Sequence, residues 1–228
     1  MNADKALYID SLDGLDALLE IERVFDVSIP DEIAAEMHNV GNLYDYLQKR
    51  QPPISGEKCI TSMAFYRLRR SLTSGRHRKD VTPKTNLEDL FTQKPKNFWR
   101  KLEEDSGLSL PQLNNTIIGN TCITVLFFSI FGLFLSGFLM PKPFVLGILI
   151  FIIILAFVII KFDPMKLPKS LVNMDDLAKA TSRENFGKFE RQGARTNDSI
   201  RWSILVDILS SWSDPVDAKN VTRATPFY

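Results

Sequence analysis

The spacing of apolar residues along the chain predicts a protein built from helices. In the first predicted helix, residues 14–25, apolar groups recur at the helical period, and they are Leu15, Leu18, Leu19, Ile21 and Phe25. The same period predicts further helices at residues 31–37, 39–47, 61–72, 97–105, 174–180 and 199–212. Polar segments at residues 49–56 and 181–197 are predicted to be linkers. The expected fold class is therefore all-α.

Two long apolar runs differ from this amphipathic pattern. Residues 117–140 contain no charged residue, and residues 144–160 are apolar throughout, with Lys161 closing the second run. A helix needs about 20 apolar residues to cross a bilayer core. The runs, joined by a short proline-containing turn, therefore predict a transmembrane helical hairpin over residues 116–162. A buried soluble hairpin is the alternative, but the second run has no polar side to present to water.

The sequence also contains an internal repeat. Residues 21–30 align without gaps on residues 102–111, and residues 39–43 resemble residues 173–177. The two segments are 53 residues further apart in the second copy than in the first. Those extra residues are the apolar hairpin and its flanks. The hairpin is therefore predicted to be an insertion between two helices of the second copy.

A third match joins the two ends of the chain. Residues 221–227 align on residues 81–87, and a predicted amphipathic helix precedes each segment. The first copy therefore lacks its opening helix, and the end of the chain supplies one, as a circular permutation would. Permutation is physically easy when chain termini lie close together at a surface. The alternatives are completion by another chain, or a fragment of a longer protein.

These matches predict three structural parts. The first is a split, permuted module made of residues 1–50 and 198–228. The second is a related module made of residues 57–113 and 168–192. The hairpin, residues 116–162, is inserted in the second module.

The first half of the chain contains two blocks of opposite charge. Residues 1–48 carry eleven acidic side chains against two basic ones, and residues 49–115 carry fourteen basic against seven acidic, although the net charge of the whole chain is only +1. Oppositely charged blocks indicate modules that face different partners or each other. Solvated faces without any partner explain the same pattern, so charge alone leaves both interpretations open.

The sequence offers no starting point for metal, nucleotide or enzymatic chemistry. Cys59 and Cys122 form neither a disulfide framework nor a metal-ligand spacing, His38 and His77 are isolated from each other, and no glycine-rich phosphate loop is present. We therefore predict that the chain is not an enzyme. The arginines of the basic helix at residues 61–72 are interpreted as a solvated face, so nucleic acid is not an expected partner.

A serine at the start of the first helix is the strongest candidate for chemistry. In the motif Asp10-Ser11-Leu12-Asp13 the serine stands where an N-cap residue belongs, and the acidic residues suit the positive end of the helix dipole. The stretch continues with Phe25-Asp26-Val27-Ser28-Ile29-Pro30-Asp31-Glu32. An ordinary N-cap serine, worth about 1 kcal/mol to the helix, is the alternative interpretation of Ser11.

Taken together, these motifs resemble the acyl carrier protein family. That family is a four-helix bundle whose second helix begins with Asp-Ser-Leu, and its serine receives 4′-phosphopantetheine. The resemblance covers residues 5–48 and 198–228, with Phe227 at the position of the aromatic residue that precedes the motif. It extends in degenerate form to residues 58–113 and 171–180. It implies acyl-carrier-like bundles; the repeat makes them two, one of them permuted, and the apolar runs add a transmembrane hairpin.

The resemblance assigns roles to the residues around the serine. It implies covalent attachment of 4′-phosphopantetheine at Ser11, with Asp10 and Leu12 completing the motif. Four acidic residues would attract basic partner enzymes, namely Asp13, Asp16, Glu20 and Glu22. The chain departs from the family in having Tyr8-Ile9 before the motif.

The second copy lacks this motif. Thr92 aligns with Ser11, Phe91 aligns with Asp10, and the helix that follows is basic rather than acidic. We interpret this copy as structural: it would present the hairpin, and its basic face would dock the acidic module.

The function implied by the resemblance is that of a membrane-anchored acyl carrier. A phosphopantetheinyl transferase would load the arm, which would then hold acyl groups as thioesters for acyl-transferring or acyl-synthesising enzymes of lipid or fatty acid metabolism. Because transferase and coenzyme A are cytoplasmic, both termini are expected in the cytoplasm, with two spans in a bacterial inner membrane. Lys161, Lys166 and Lys169 beside the second span agree with the positive-inside rule. The alternatives are an unmodified carrier-like membrane scaffold and a membrane enzyme.

Overall fold

The fold is helical throughout the part of the chain that the structure describes. This computed structural model describes residue 7 and residues 11–52, 56–72, 80–91, 93–139, 143–161, 163, 165–212 and 220–227. The helices are α1 (Ser11–Phe25), α2 (Asp31–Ala35), α3 (Val40–Arg50), α4 (Ile60–Leu72), α5 (Pro95–Ser106), α6 (Ile117–Leu139), α7 (Pro143–Lys161), α8 (Met174–Glu184), α9 (Phe186–Arg191) and α10 (Asp198–Trp212), with a short 3-10 turn at Glu88–Leu90. β-type pairing among these residues is confined to isolated bridges. The all-α prediction is confirmed.

One short helix lies where the sequence pattern predicts a linker. α8 continues to Glu184 and α9 follows immediately, so the linker predicted at residues 181–197 is wrong over its first part. Phe186 and Phe189 are the cause, because both rings are fully buried and their spacing of three residues places them on one helix face. The ring of Phe186 meets that of Phe25 edge to face, with centroids 5.6 Å apart. Six residues in a polar context are too few for this period to stand out.

The residues group into two compact units. The first unit comprises residues 1–85, 106–111 and 173–228, and the second comprises residues 86–105 and 112–172. Most of the residues assigned to the two predicted carrier-like modules lie in the first unit. The division of the chain into two separate modules therefore stays a prediction.

An apolar core holds the first unit together. α1 packs against α8, α9 and α10, and α4 packs against α8 and α9. The core residues around α1 come from several helices and from isolated positions at the two ends of the chain, and they include Leu7, Ile21, Val24, Phe25, Ile29, Val40, Leu43, Tyr44, Leu47, Phe186, Ile204, Leu205, Ile208, Leu209 and Val221. Burying each of these larger aliphatic or aromatic side chains contributes about 1.5–3 kcal/mol.

The C-terminal segment hydrogen-bonds to the beginning of the chain. The N–H of Leu7 donates to the carbonyl of Pro226 at 3.1 Å, and the N–H of Phe227 donates to the carbonyl of His38 at 3.2 Å. The first two N–H groups of α3 find acceptors in the same segment: Val40 donates to Thr225 at 3.0 Å and Gly41 donates to Arg223 at 2.8 Å. These bonds satisfy helix-terminal donors that have no partner within α3.

The aligned segment in the middle of the chain makes the corresponding bonds. The first N–H groups of α8 donate to residues 85 and 83, from Met174 at 3.0 Å and from Asp175 at 2.9 Å. Within the second unit, the N–H of Leu87 donates to the carbonyl of Val172 at 3.1 Å. Residues 83 and 85 thus bond to the start of α8 in the same pattern as residues 223 and 225 bond to the start of α3.

The second unit contains the apolar hairpin helices. α6 and α7 pack against each other, yet large apolar side chains remain exposed along both, among them Ile117, Phe127, Phe134, Phe151 and Phe157. Among the described residues, α6 is the one helix whose length and composition would let it cross a bilayer, over Ile117–Phe134, and the apolar part of α7, Leu146–Lys161, is shorter. A hairpin with two spans is therefore not confirmed, and the second span stays a prediction.

A buried carboxylate closes the base of the hairpin. Asp163 follows α7 and accepts a hydrogen bond from the N–H of Thr116, just before α6, at 3.0 Å. The Thr116 hydroxyl in turn accepts from the N–H of Gly119 at 3.1 Å. Burial works to raise the pKa of Asp163, but hydrogen bonds from Met165 and Thr116 outweigh it and hold that pKa below its usual value. The ionised carboxylate therefore joins the two ends of the hairpin.

Candidate carrier site

α1 begins at Ser11, the serine singled out by the sequence. Its side chain, that of Leu12, and the whole of Asp10 lie outside the described residues. Asp13 stands in the first turn and is exposed. The start of a 15-residue helix carries unpaired N–H groups and a partial positive charge, so Ser11 stands at a position that favours an anionic substituent.

α1 presents two different faces. Ala17, Ile21, Val24 and Phe25 are buried in the core of the first unit. The opposite face carries Asp13 and Asp16 together with Leu15 and Leu19, which are 55% and 53% exposed. In the sequence pattern, both leucines count among the apolar residues that recur along this helix and are not separated from the core face. Their outward orientation gives α1 an exposed surface that is apolar and acidic at once.

Two of the four acidic residues predicted to bind partners make contacts within the protein. Glu22 accepts a hydrogen bond from the N–H of Ile29 at 2.5 Å, which holds the segment after α1 against the helix. Glu20 accepts from the indole N–H of Trp212 at 2.6 Å. Asp13 and Asp16 are the exposed members of the set, so within the described part of the chain they are the acidic groups that a partner could reach without breaking an internal bond.

The segment after α1 is held by a turn and by a tyrosine. Asp26 ends the helix in the left-handed region, with φ of 55°, and its aligned residue Gly107 has φ of 61°. The hydroxyl of Tyr46 donates to the carbonyl of Ser28 at 2.9 Å, and Ile29 is buried. These contacts fix the path between α1 and α2.

α10 contacts the helices of the N-terminal segment. It packs along α1, and the carbonyl of Asp198 at its start accepts from the hydroxyl of Tyr44 at 3.1 Å. The rings of Tyr44 and Trp202 pack edge to face, 5.2 Å between centroids. Burial raises the pKa of Tyr44, and the charge of Asp198 raises it further. α10 therefore contacts the same helices that follow the serine.

The described residues around the aligned position in the middle of the chain show no acidic helix start like that of α1. Thr92 lies outside the described residues, and α5 begins at Pro95 with basic side chains rather than acidic ones. The described residues also contain no group of three or more His, Cys, Asp or Glu side chains that could hold a metal ion.

A serine at the start of a helix with an acidic outer face, held in a small helical bundle, is compatible with the carrier module that the sequence resemblance implies. Sequence comparison agrees over part of the chain. A stretch of 49 residues is 45% identical to an acyl carrier protein of Amoebophilus asiaticus, covering 22% of this chain and 61% of that protein. The mitochondrial acyl carrier protein of Saccharomyces cerevisiae is 46% identical over 43 residues, which is 19% of this chain and 34% of the yeast protein.

A third relative shows the same limits. The acyl carrier protein of Syntrophobacter fumaroxidans is 43% identical over 42 residues, covering 18% of this chain and 52% of that protein. The chain thus spans about a third to three fifths of the length of these relatives. No family model and no solved structure matches the chain. The comparisons support an acyl-carrier-like segment, and they agree with the prediction that the chain is not an enzyme, because the relatives are carriers by name.

Proposed function

We propose that this chain is a membrane-anchored acyl carrier that holds acyl groups as thioesters on a 4′-phosphopantetheine arm attached to Ser11. The observation that carries the proposal is the start of α1 at Ser11, in a chain with partial identity to acyl carrier proteins. The proposed loading step forms a phosphodiester between the Ser11 hydroxyl oxygen and the phosphopantetheine of coenzyme A. Adenosine 3′,5′-bisphosphate leaves, and the hydroxyl proton passes to a base of the transferase.

The residues around Ser11 would perform binding rather than catalysis. The N–H groups and dipole at the start of α1 would favour the phosphate of the arm. Leu15 and Leu19, with Asp13 and Asp16 beside them, would form the contact surface for a phosphopantetheinyl transferase and for acyl-handling enzymes. Acidic residues there would mainly raise association rates with basic partners, and a partly apolar centre would supply affinity.

The remainder of the chain would serve as a second carrier-like copy with a membrane anchor. The shared hydrogen-bond pattern of residues 81–87 and 221–227 supports a repeated unit closed by α10 in the first copy. The exposed apolar surfaces of α6 and α7 support a hairpin in the bilayer. Both termini would lie on the cytoplasmic side, where the transferase and coenzyme A would be present. Anchoring would keep the acyl group at high local concentration for membrane enzymes.

The test is the intact mass of the membrane-expressed full chain in the presence of an active phosphopantetheinyl transferase. The expected result is a gain equal to one phosphopantetheine, lost in Ser11→Ala and retained in the control Ser62→Ala, an exposed serine of α4. The same arm should then accept an acyl group that hydroxylamine removes. Absence of the mass gain with the transferase of the native host would overturn the carrier proposal and leave the unmodified membrane scaffold as the better explanation.

A further inference from the structure

Two aligned pairs of residues in the first unit make different hydrogen bonds. Ser28 follows α1 and aligns with Ser109 after α5, and Gln51 follows α3 and aligns with Asn185 after α8. All four residues belong to the first unit. The two serines differ in the partners of their backbone groups.

The side-chain amide of Asn185 forms two hydrogen bonds with the backbone of Ser109. The N–H of Ser109 donates to Oδ1 of Asn185 at 3.0 Å, and Nδ2 of Asn185 donates to the carbonyl of Ser109 at 2.8 Å. Nδ2 also donates to the carbonyl of Thr181 at 2.8 Å. Asn185 is 6% exposed. The N–H and the carbonyl of Ser109 therefore both have partners, and the buried side chain of Asn185 fills the space beside them.

Ser28 lacks the corresponding two hydrogen bonds to an amide side chain. The longer side chain of Gln51 donates instead to the carbonyl of Gly187 at 2.8 Å, and its buried Oε1 has no donor among the described residues. The Ser28 carbonyl accepts from Tyr46. In the part of the chain that the structure describes, no acceptor meets the N–H of Ser28, which is an exposed residue. One backbone donor is therefore left without a described partner where the aligned residue has a bound oxygen.

An open cleft lies at this position. Its volume is about 360 Å³, and its walls include Asp26, Ser28, Arg50, Gln51 and Arg191. Arg191 pairs with Asp26 and also donates to the Asp26 carbonyl at 3.2 Å. The guanidinium of Arg50 lies over the Tyr46 ring, 5.3 Å from its centroid. Two guanidinium groups against one carboxylate leave the cleft positive, and guanidinium groups bind carboxylates through paired hydrogen bonds.

We propose that this cleft is a carboxylate-binding site. One carboxylate oxygen accepts from the N–H of Ser28, as Oδ1 of Asn185 accepts from Ser109, and the negative charge is held by Arg50 and Arg191. Either a small free carboxylate or the acidic side chain of a peptide presents this group. The site involves neither Ser11 nor its modification, so this proposal can be tested independently of the carrier function.

The test is a titration of the full chain in lipid nanodiscs, labelled with ¹⁵N-serine and followed at the backbone amides of Ser28 and Ser109. The probes are N-acetylglycine, its neutral amide, and a blocked tripeptide with a central aspartate. We expect the Ser28 signal to shift saturably with both carboxylate probes and to be unaffected by the neutral amide, while Ser109 stays unchanged. Saturation by the tripeptide at about tenfold lower concentration assigns a peptide source, and equal or weaker tripeptide binding assigns a free carboxylate.

Variants separate this site from unspecific attraction by charge. Gln51→Asn should close the cleft in the manner of Asn185 and abolish the shift, and Arg50→Gln or Arg191→Gln should each weaken binding about fivefold or more. Asn185→Ala is the matched control: it frees the Ser109 amide at the aligned place, which lacks the Arg50 and Arg191 pair, so any response of Ser109 to the carboxylate probes should be weaker than that of Ser28. The remaining serine signals report whether each variant is folded. A Ser28 shift that the neutral amide reproduces, or that survives loss of both arginines, overturns the proposal.

Discussion

Glu190 of α9 and Arg201 of α10 form a hydrogen-bonded ion pair of 2.6 Å in which the side chains are 0% and 2% exposed. The hydroxyl of Thr196 donates to the same oxygen of Glu190 at 2.6 Å. Desolvating two charges costs several kcal/mol for each, and only their mutual attraction and hydrogen bonds offset this cost. The pair therefore ties α9 to α10 only as long as both members are present.

Removing one member of this pair should destabilise the protein far more than removing both. We expect Arg201→Met to lower the free energy of unfolding by about 3–5 kcal/mol, because the carboxylate of Glu190 is left buried and unpaired. The double variant Glu190→Leu with Arg201→Met should recover most of that loss. Urea unfolding in detergent, followed by tryptophan fluorescence, measures both. A single variant as stable as the parent would show that the pair is not buried.

The location of this pair could not be predicted from the sequence. The apolar period indicates the helix at residues 199–212, and α10 spans Asp198–Trp212. Arg201, however, is an isolated charge in that pattern, and its burial depends on α9, a helix too short to show a period of its own. The helical elements were therefore predictable, whereas the partner that turns Arg201 inward comes from tertiary packing.

Gly187 should not tolerate a side chain. A Cβ at this position would overlap the carbonyl of Phe25, whereas a Cβ at Gly147 would meet no atom within 4 Å. We expect Gly187→Ala to lower the free energy of unfolding by about 1–3 kcal/mol, the usual cost of overpacking, and to loosen α9 from α1. Gly147→Ala is the matched control and should leave stability nearly unchanged. Denaturant titration of both variants decides the point, and equal stability would contradict this packing.

Alanine substitutions at Leu19 and Ile21 should distinguish an effect on partner binding from an effect on stability. Leu19 is 53% exposed and Ile21 is 1% exposed, so Leu19→Ala should change the free energy of unfolding by about 0.5 kcal/mol or less, and Ile21→Ala should lower it by about 2–5 kcal/mol. If α1 is the partner surface, Leu19→Ala should also slow phosphopantetheine transfer to Ser11. Denaturation and a timed mass assay measure the two effects. Equal losses of stability would show that the outer face is packed.

The two faces of α1 were only partly predictable. Ile21 and Phe25 follow the period of the core face, and both are buried. Leu15 and Leu19 form a second row, which continues into Glu22 and Arg23 rather than into further apolar residues. That charged continuation is the signal that the row points outward. No comparable signal in the sequence reveals that Glu22 bonds to the N–H of Ile29, because that contact depends on the turn at Asp26.

Tyr44 should make the first unit sensitive to alkaline pH. Burial, then the charge of Asp198, raises its pKa above the ordinary value of a tyrosine, 10.0. A raised pKa in the folded state means that the stabilisation is complete below the unfolded value of about 10 and is lost as pH rises through the folded value. The free energy of unfolding should therefore fall above pH 10, and less steeply in Tyr44→Phe. Tyrosinate absorbance during unfolding titrations tests this, and identical slopes would contradict it.

The apolar outer surface of α7 should determine whether the protein stays in the membrane. Ile154 is 58% exposed, and an arginine near the centre of a span costs about 2.5–3.5 kcal/mol on insertion scales. If the hairpin lies in the bilayer, Ile154→Arg should lower the fraction retained in the membrane pellet after alkaline carbonate extraction. Val172→Arg is the matched control, because Val172 is equally apolar and 56% exposed but lies beyond the hairpin, so it should behave like the parent protein. Release of the parent by carbonate would contradict a membrane-spanning hairpin, and equal retention of both variants would place Ile154 outside the bilayer core.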